Sequence, residues 1–440
     1  MSRYLIRRLL WVFPTLLAIA LFSFWISIEA PGDPVERMMQ FSDDGTRASD
    51  QQRTAELKAQ WRARLGLDKP LFYFSIQSAS LPDTLYRITN EQQRAHLKML
   101  ARQKGDWSLI DSYFKALKKD PNALAILASE IEYKQWLKSS VSYPSSPKLS
   151  ESISAIKNAS GSFSRHLPKI SFYGANNQFH FWLRRAIIGD FGYSYYDGES
   201  VSQKLWPKLR LSFILTATSL LFAFIISIPI GVYAASRPDG WFDHTSAVLL
   251  FMAYSLPTFF VGTLLLFTFS NPDVLYWFPE SGLQNPVTFD PTGSLGEKLN
   301  HWIPHLILPF ITFSYGSLAY LSRITRSSVA EETSKDYILT ARSKGLSENK
   351  ILWKHALRNA LLPLITVVGQ LFPIAIGGSV IIETIFSLPG IGWEAYRAVM
   401  NYDYPVIVAI FTLGGFLTVI GYITADLLYA WADPRIRFNE

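Results

Sequence analysis

The sequence predicts an all-α polytopic membrane protein with six transmembrane helices and a helical extracytoplasmic insertion between the first two. Three observations carry this. Six segments, 9–28, 211–236, 245–272, 302–322, 363–382 and 406–425, contain no Asp, Glu, Lys or Arg. Each reaches the ~20 residues that a helix needs to cross ~30 Å of hydrocarbon. Lys and Arg are distributed unevenly among the connections. Finally, a charged, helix-forming stretch of nearly thirty residues, 336–363, separates the fourth and fifth segments.

The first segment is read as an uncleaved helix, residues 1–28 including its N-terminal flank. Its apolar run exceeds a signal-peptide core, and the following SIEAPGD offers no small-x-small cleavage site. A polar block, 29–210, comes next and explains why mean hydropathy is only +0.13 although 49% of residues are hydrophobic. Residues 211–440 then hold the other five spans. The spans contain Pro14, Pro229, Pro257, Pro309 and Pro373, and the Gly pairs at 377–378 and 414–415. A bundle tolerates these because neighbouring helices satisfy the freed backbone; whether any marks a hinge or a pathway stays open. The chain has no cysteine, which excludes disulfides and thiol chemistry.

Orientation follows from the positive-inside bias. Arg3, Arg7, Arg8 and Arg237 flank the first two spans on one side, joined by Arg323, Arg326, Lys335, Arg342, Lys344, Lys350, Lys354 and Arg358, and by Arg435 and Arg437. The alternate short loops hold only Lys298 and Arg397. Both termini and the 323–362 loop are therefore expected in the cytoplasm, with 29–210 outside.

Within 336–363, DYILTARSKGLSENKILWKHALRNALLP, the pattern reads helix, Gly, helix. Gly345 suits a positive-φ turn and Ser347 a helix cap. Lys350, Lys354 and Arg358 recur every four residues beside a second stripe of Ile351, His355 and Asn359. Such a basic stripe fits either a helix at the lipid headgroups or a docking face for a cytoplasmic protein, and spacing alone leaves both open.

ARSKGL followed by ILWKHALRNALLP resembles the cytoplasmic loop of ABC-importer permeases of the dipeptide/oligopeptide/nickel class. Ala341 and Gly345 stand in that superfamily's Glu-Ala-Ala-x-x-x-Gly pattern, with Leu339 and Thr340 replacing the Glu and first Ala. RYLIRRLLWVFPTLLAIALFSFW, WRARLGLDKPL, IIGDFGYSYYDGESV, IIETIFSLPGIGW and ADLLYAWADPRIRF are similar to other family segments in the same order. Together they point to the B-type subunit.

The resemblance implies a type I importer permease fold, in which this chain forms half of a translocation pathway for peptides. It implies a sister permease subunit, two cytoplasmic ABC ATPase subunits and an extracytoplasmic substrate-binding protein as partners, in a bacterial inner membrane. Ala341, Lys344, Gly345, Leu346, Ser347, Ile351 and His355 would form the ATPase-coupling element. Glu383 and Gln370 are candidates for the pathway or outer gate, with a structural role for Glu383 the alternative. No G-x-x-x-x-G-K-[ST] phosphate loop is present, so ATP is expected to be hydrolysed by partners, and the chain is expected to bind no cofactor or metal and not to be an enzyme. Nickel or another small solute is the alternative cargo. A membrane-anchored receptor or envelope protein working through 29–210 is the alternative of another class, and a secondary transporter a third. Nothing points to nucleic acid.

Residues 75–171 form an addition to the family's usual linker. Fourteen Lys and Arg stand there against eight Asp and Glu. Three stretches, 89–105, 106–120 and 121–140, have apolar residues at helical spacing, with Thr89, Asp106 and Pro121 at plausible starts, and 141–152 reads as a linker. The charged faces are either simply solvated or dock the binding protein, anionic lipid or polymer, or the other permease, docking of the binding protein being preferred among the functional readings.

Overall fold

The structure, a computed structural model, describes residues 2–30, 33–40, 51–88, 91–119, 147–159, 161, 163–285, 289–377 and 380–432. It divides into two compact units, Asp33–Ile188 and the combination of Met1–Gly32 with Gly189–Glu440. Helix α1 (Ser2–Glu29) opens the larger unit.

The smaller unit contains α2 (Pro34–Gln40), α3 (Gln51–Leu65), β1 (Phe74–Ser78), α4 (Glu91–Lys104), α5 (Trp107–Lys118), α6 (Pro147–Asn158), β2 (Pro168–Phe172) and α7 (Gln178–Ile187). In α5 the buried residues Ile110, Tyr113, Phe114 and Leu117 follow helical spacing, and they close a core with Leu97 of α4 and Leu149 and Ile156 of α6. The Asp106 carboxylate caps α5, accepting from the Ser108 amide at 2.9 Å. The stretch read as a linker instead becomes helix from Pro147, because proline costs nothing in a first turn and Leu149, Ile153 and Ile156 supply an apolar face. Thr89 and the third expected helix, 121–140, lie outside the described residues.

The chain is mostly helical, as expected, but β1 and β2 form an unanticipated antiparallel ribbon, pairing Phe74 with Phe172 and Ile76 with Ile170. Its inner face is hydrogen-bonded down: Ser171 Oγ donates to Asp83 at 2.6 Å, and Gln77 Nε2 to the Pro82 carbonyl at 3.2 Å.

His96 is buried against Tyr113, Nε2 to Oη 3.3 Å, and burial pushes its pKa down to about 4. A folded-state value below the unfolded one near 6.5 means that the unfolded chain takes the proton first as pH falls. Lowering pH from about 7 to about 5 is therefore expected to remove about 2 kcal/mol of local stability. Hydrogen exchange of Glu91–Lys104 and Trp107–Lys118 in the whole protein should speed up accordingly, and His96→Leu should flatten this dependence.

The larger unit continues with α8 (Val201–Ser236), α9 (Trp241–Ser255), α10 (Thr258–Phe269), α11 (Leu295–Thr333), α12 (Asp336–Ser343), α13 (Glu348–Ala360), α14 (Leu362–Gly377), α15 (Val380–Ile385), α16 (Ile391–Met400) and α17 (Tyr404–Ala432). Helices α8 and α11 pack so closely that a Cβ on Gly231 would lie 2.5 Å from Thr325. Ser227 Oγ also donates to the Leu318 carbonyl at 3.1 Å across this pair. Gly415 of α17 likewise admits Ile19 of α1. Small residues and crossing hydroxyls replace a hydrophobic drive between apolar helices.

Among the described residues, three helices are long and apolar enough to cross a membrane: Leu10–Glu29, Val201–Ser236 and Tyr404–Tyr429. Two bent pairs, α9 with α10 at 93° and α13 with α14 at 47°, are apolar and long enough only together, giving up to five if each pair is one span. The expected fourth span, 302–322, lies inside α11, 39 residues long, where His305, Thr312 and Ser314 dilute the apolar run. Thr312 and Ser314 are buried. At the α9–α10 corner, the Tyr315 hydroxyl donates to the Leu256 carbonyl at 2.9 Å.

Candidate functional site

The 336–363 stretch folds as a lever with an anchored side and a bare side. Ile338 and Ala341 of α12 and Ile351, Leu352 and Ala356 of α13 are buried together with Val232 and Val329. Gly345 takes φ +77° at the end of α12. Its amide donates to the Arg342 carbonyl at 2.9 Å and that of Leu346 to Ala341 at 3.4 Å. These are the two bonds of a Schellman turn, and Leu346 packs on the same cluster as Ala341. Ser347 occupies the start of the next helix, but its side chain makes no capping bond; its carbonyl accepts from Ile351 at 3.0 Å. Arg342 spans the turn to Glu348 with bonds of 2.9 and 3.3 Å.

Ile351–Ala356 wind as a π-helical turn, a local widening that recurs at functional sites. It keeps Ile351, Leu352 and Ala356 inward while Lys350, Lys354 and Arg358 stay exposed. Of the coupling residues read from sequence, Ala341 and Ile351 are anchors, Leu346 and His355 are half-buried, and Lys344, Gly345 and Ser347 face outward. Leu339 and Trp353 also stand exposed on this element and were not singled out. Their signal was an apolar side chain inside a charged run.

The lever is tied to α11 by one buried carboxylate. Glu332 accepts from Lys335 Nζ at 2.5 Å, Tyr337 Oη at 2.6 Å and Asn359 Nδ2 at 3.4 Å. Burial alone would raise the Glu332 pKa, but these bonds outweigh it and hold it below the usual range. Burial and the neighbouring carboxylate push Tyr337 up to about 12. These bonds join α12 and α13 to the C-terminal end of the 39-residue α11.

A second cluster lies at the N-terminal end of α8. Glu383 of α15 is buried and accepts from Ser212 Oγ at 2.8 Å and the Trp393 amide at 2.7 Å. Ser212 Oγ in turn accepts from the Ile391 amide at 2.9 Å. Gln370 lies on α14, and its side chain falls outside the described residues. A Cβ on Gly390 would come within 2.2 Å of the Glu383 carboxyl carbon. Gly390→Ala is therefore expected to displace the carboxylate and lower the melting temperature of the purified protein, whereas Gly316→Ala, where a Cβ meets open space, should not.

Beside it, Lys204 reaches Asp197 at 2.5 Å and Glu394 at 3.0 Å, and Lys208 reaches Glu394 at 2.5 Å. Asp403 completes the group, accepting from Ser194 Oγ at 2.5 Å and the Tyr195 amide at 2.8 Å. Burial works against ionisation of Glu394 and Asp197, yet the lysines and hydrogen bonds prevail and lower both pKa values.

Residues 227–438 match the family described as binding-protein-dependent transport system inner membrane component. The oligopeptide transport system permease protein AppB of Bacillus subtilis is 38% identical over 274 residues, covering 61% of this chain and 84% of that protein. The dipeptide transport system permease protein DppB of Alkalihalophilus pseudofirmus is 34% identical, with 59% and 81% covered. Among solved structures, the inward-facing MetNI methionine ABC transporter aligns with a TM-score of 0.40 and 17% identity, over 52% of this chain and 97% of that one.

Proposed function

This chain belongs to the family of binding-protein-dependent transport system inner membrane components, the permeases of ABC importers, and on that premise we propose that it forms half of a translocation pathway for peptides. The relatives that name oligopeptides and dipeptides support that cargo. The observation that carries the mechanism is the lever: a helix-turn-helix fixed to the bundle on one side and exposing Leu339, Lys344 and Trp353 on the other.

A cytoplasmic ATPase grips the exposed side. Closure of the ATPase pair on ATP shifts the lever, and Glu332 passes the displacement to α11. The bundle then exchanges between inward-open and outward-open packings, a population shift powered by differential binding. The chain crosses the inner membrane six times, with the bent pair α9–α10, α11 and α14 counted as spans beside α1, α8 and α17, and both termini in the cytoplasm. A sister permease supplies the other half of the pathway, a second ATPase binds beneath that sister, and a substrate-binding protein delivers peptide from outside. Glu383 braces the outer ends of α8, α15 and α16 where the path opens.

Reconstitution with the sister permease, the ATPases and the binding protein tests this. Peptide-stimulated ATP hydrolysis and peptide uptake are expected. Failure of the ATPase to co-purify with the intact chain would defeat the coupling role, while coupling without peptide uptake would defeat the cargo.

A further inference from the structure

The β1–β2 ribbon is two-faced. Ser75, Gln77, Lys169 and Ser171 form the face tied into the unit, through Asp83, Pro82 and Tyr173. The other face carries the cross-strand pairs Phe74–Phe172 and Ile76–Ile170, exposed by 43 and 80% and by 66 and 56%. Side chains alternate across a strand, so these four lie together. A contiguous bare apolar face of this kind marks an interaction surface.

We propose that this face is a membrane-interface anchor, seated among the headgroups and upper acyl chains of an anionic bilayer. The occupant follows from three observations. The four side chains are apolar, and the Ser78 hydroxyl at the end of that face is bonded to Ser80 at 2.8 Å, so the patch presents no hydrogen-bonding side chain with which to specify a protein partner; a headgroup–acyl boundary asks for none. Helix α7 is bonded to the segment leading into β1, through the Gln178 amide to the Pro70 carbonyl at 2.9 Å and Gln178 Nε2 to the Lys69 carbonyl at 2.7 Å. That helix brings exposed Arg184 and ends in Ile187 and Ile188, exposed by 76 and 74%. Basic residues beside bulky apolar ones are the composition of an interfacial element, and each cation near an anionic surface adds about 1 kcal/mol. Finally, the chain runs from the end of α1 at Glu29 into this unit at Asp33, and from Ile188 to the start of α8 at Val201. Both tethers are short, so the unit is held near the bilayer whichever side it occupies. The inference rests on the membrane-spanning reading of α1 and α8, not on the cargo.

The natural absence of cysteine permits single nitroxide labels on the full chain in liposomes of phosphatidylethanolamine and phosphatidylglycerol. Labels at Ile76→Cys, Ile170→Cys and Phe172→Cys should collide often with oxygen and rarely with a water-soluble nickel chelate. Labels at Gln77→Cys and Lys169→Cys should do the reverse, giving a period-two alternation. Replacing the anionic lipid with phosphatidylcholine should weaken the protection. Equal access of the chelate to all five positions would overturn the proposal. So would protection that appears only when the substrate-binding protein is added, which would assign the face to that protein. Neither result bears on transport, so the importer reading stands or falls separately.

Discussion

Gly345→Val leaves the chain inserted at normal abundance and stops transport-coupled ATP hydrolysis. The backbone at this position has φ +77°, and a Cβ there would meet nothing within 4 Å. The damage is therefore conformational, not a clash. A β-branched residue in the left-handed region costs about 1–2 kcal/mol, with nothing nearby to enforce it. The Schellman bonds from Gly345 and Leu346 give way, and α13 leaves α12 in a different direction. Because Gly345 is exposed, the anchoring cluster of Ile338, Ala341 and Ile351 is left intact. Gly345→Asn, which tolerates the left-handed region, should retain most activity. The comparison is ATPase stimulation and uptake in proteoliposomes at matched abundance; normal transport by the Val variant would refute the assignment of this turn.

Glu394→Ala is expected to destabilise the larger unit by about 3–5 kcal/mol, the usual cost of removing one member of a buried charge pair. Glu394 is 2% exposed and is the shared partner of Lys204 and Lys208. Its loss leaves Lys208 without its carboxylate and Lys204 dependent on Asp197. Glu394→Gln preserves shape and hydrogen bonding and should fall between the two. The pH dependence has a definite sign. Glu394 and Asp197 have lowered folded-state pKa values, so their contribution is complete above the unfolded values, about 4, and is lost as pH falls through the folded ones. Melting temperature of the detergent-solubilised protein measures both effects, and an unchanged value for the Ala variant would show that the cluster is not supporting the fold.

What could be read directly was local. Charge-free runs of twenty residues, a Gly between two helical patterns, and Asp106 before an apolar stripe all act within a few positions, and each became a helix, a turn or a cap where expected. The bend at Pro257 was open only as a break, since the proline at the start of α10 sets no angle by itself. The charge cluster at the N-terminal end of α8 joins Asp197, Lys204 and Lys208 to Glu394 and Asp403, roughly two hundred positions away. No periodicity links such residues; only the packing of α8 against α16 does. The ribbon was missed for the same reason, because Phe74 and Phe172 pair across the whole insertion. In the lever, the polar stripe was legible, but the π turn was not, so the burial of Ile351 of the coupling element with the anchoring cluster could not be read from spacing.

The corner between α9 and α10 has a consequence for depth. With 15 and 12 residues, the two legs measure about 22 and 18 Å, and neither alone traverses ~30 Å of hydrocarbon. How far the pair penetrates is therefore a matter of angle, set at 93° and latched by the Tyr315 phenol on the Leu256 carbonyl. Counted as one span, the pair would match a bilayer's thickness through the angle of its joint and not through the length of either helix.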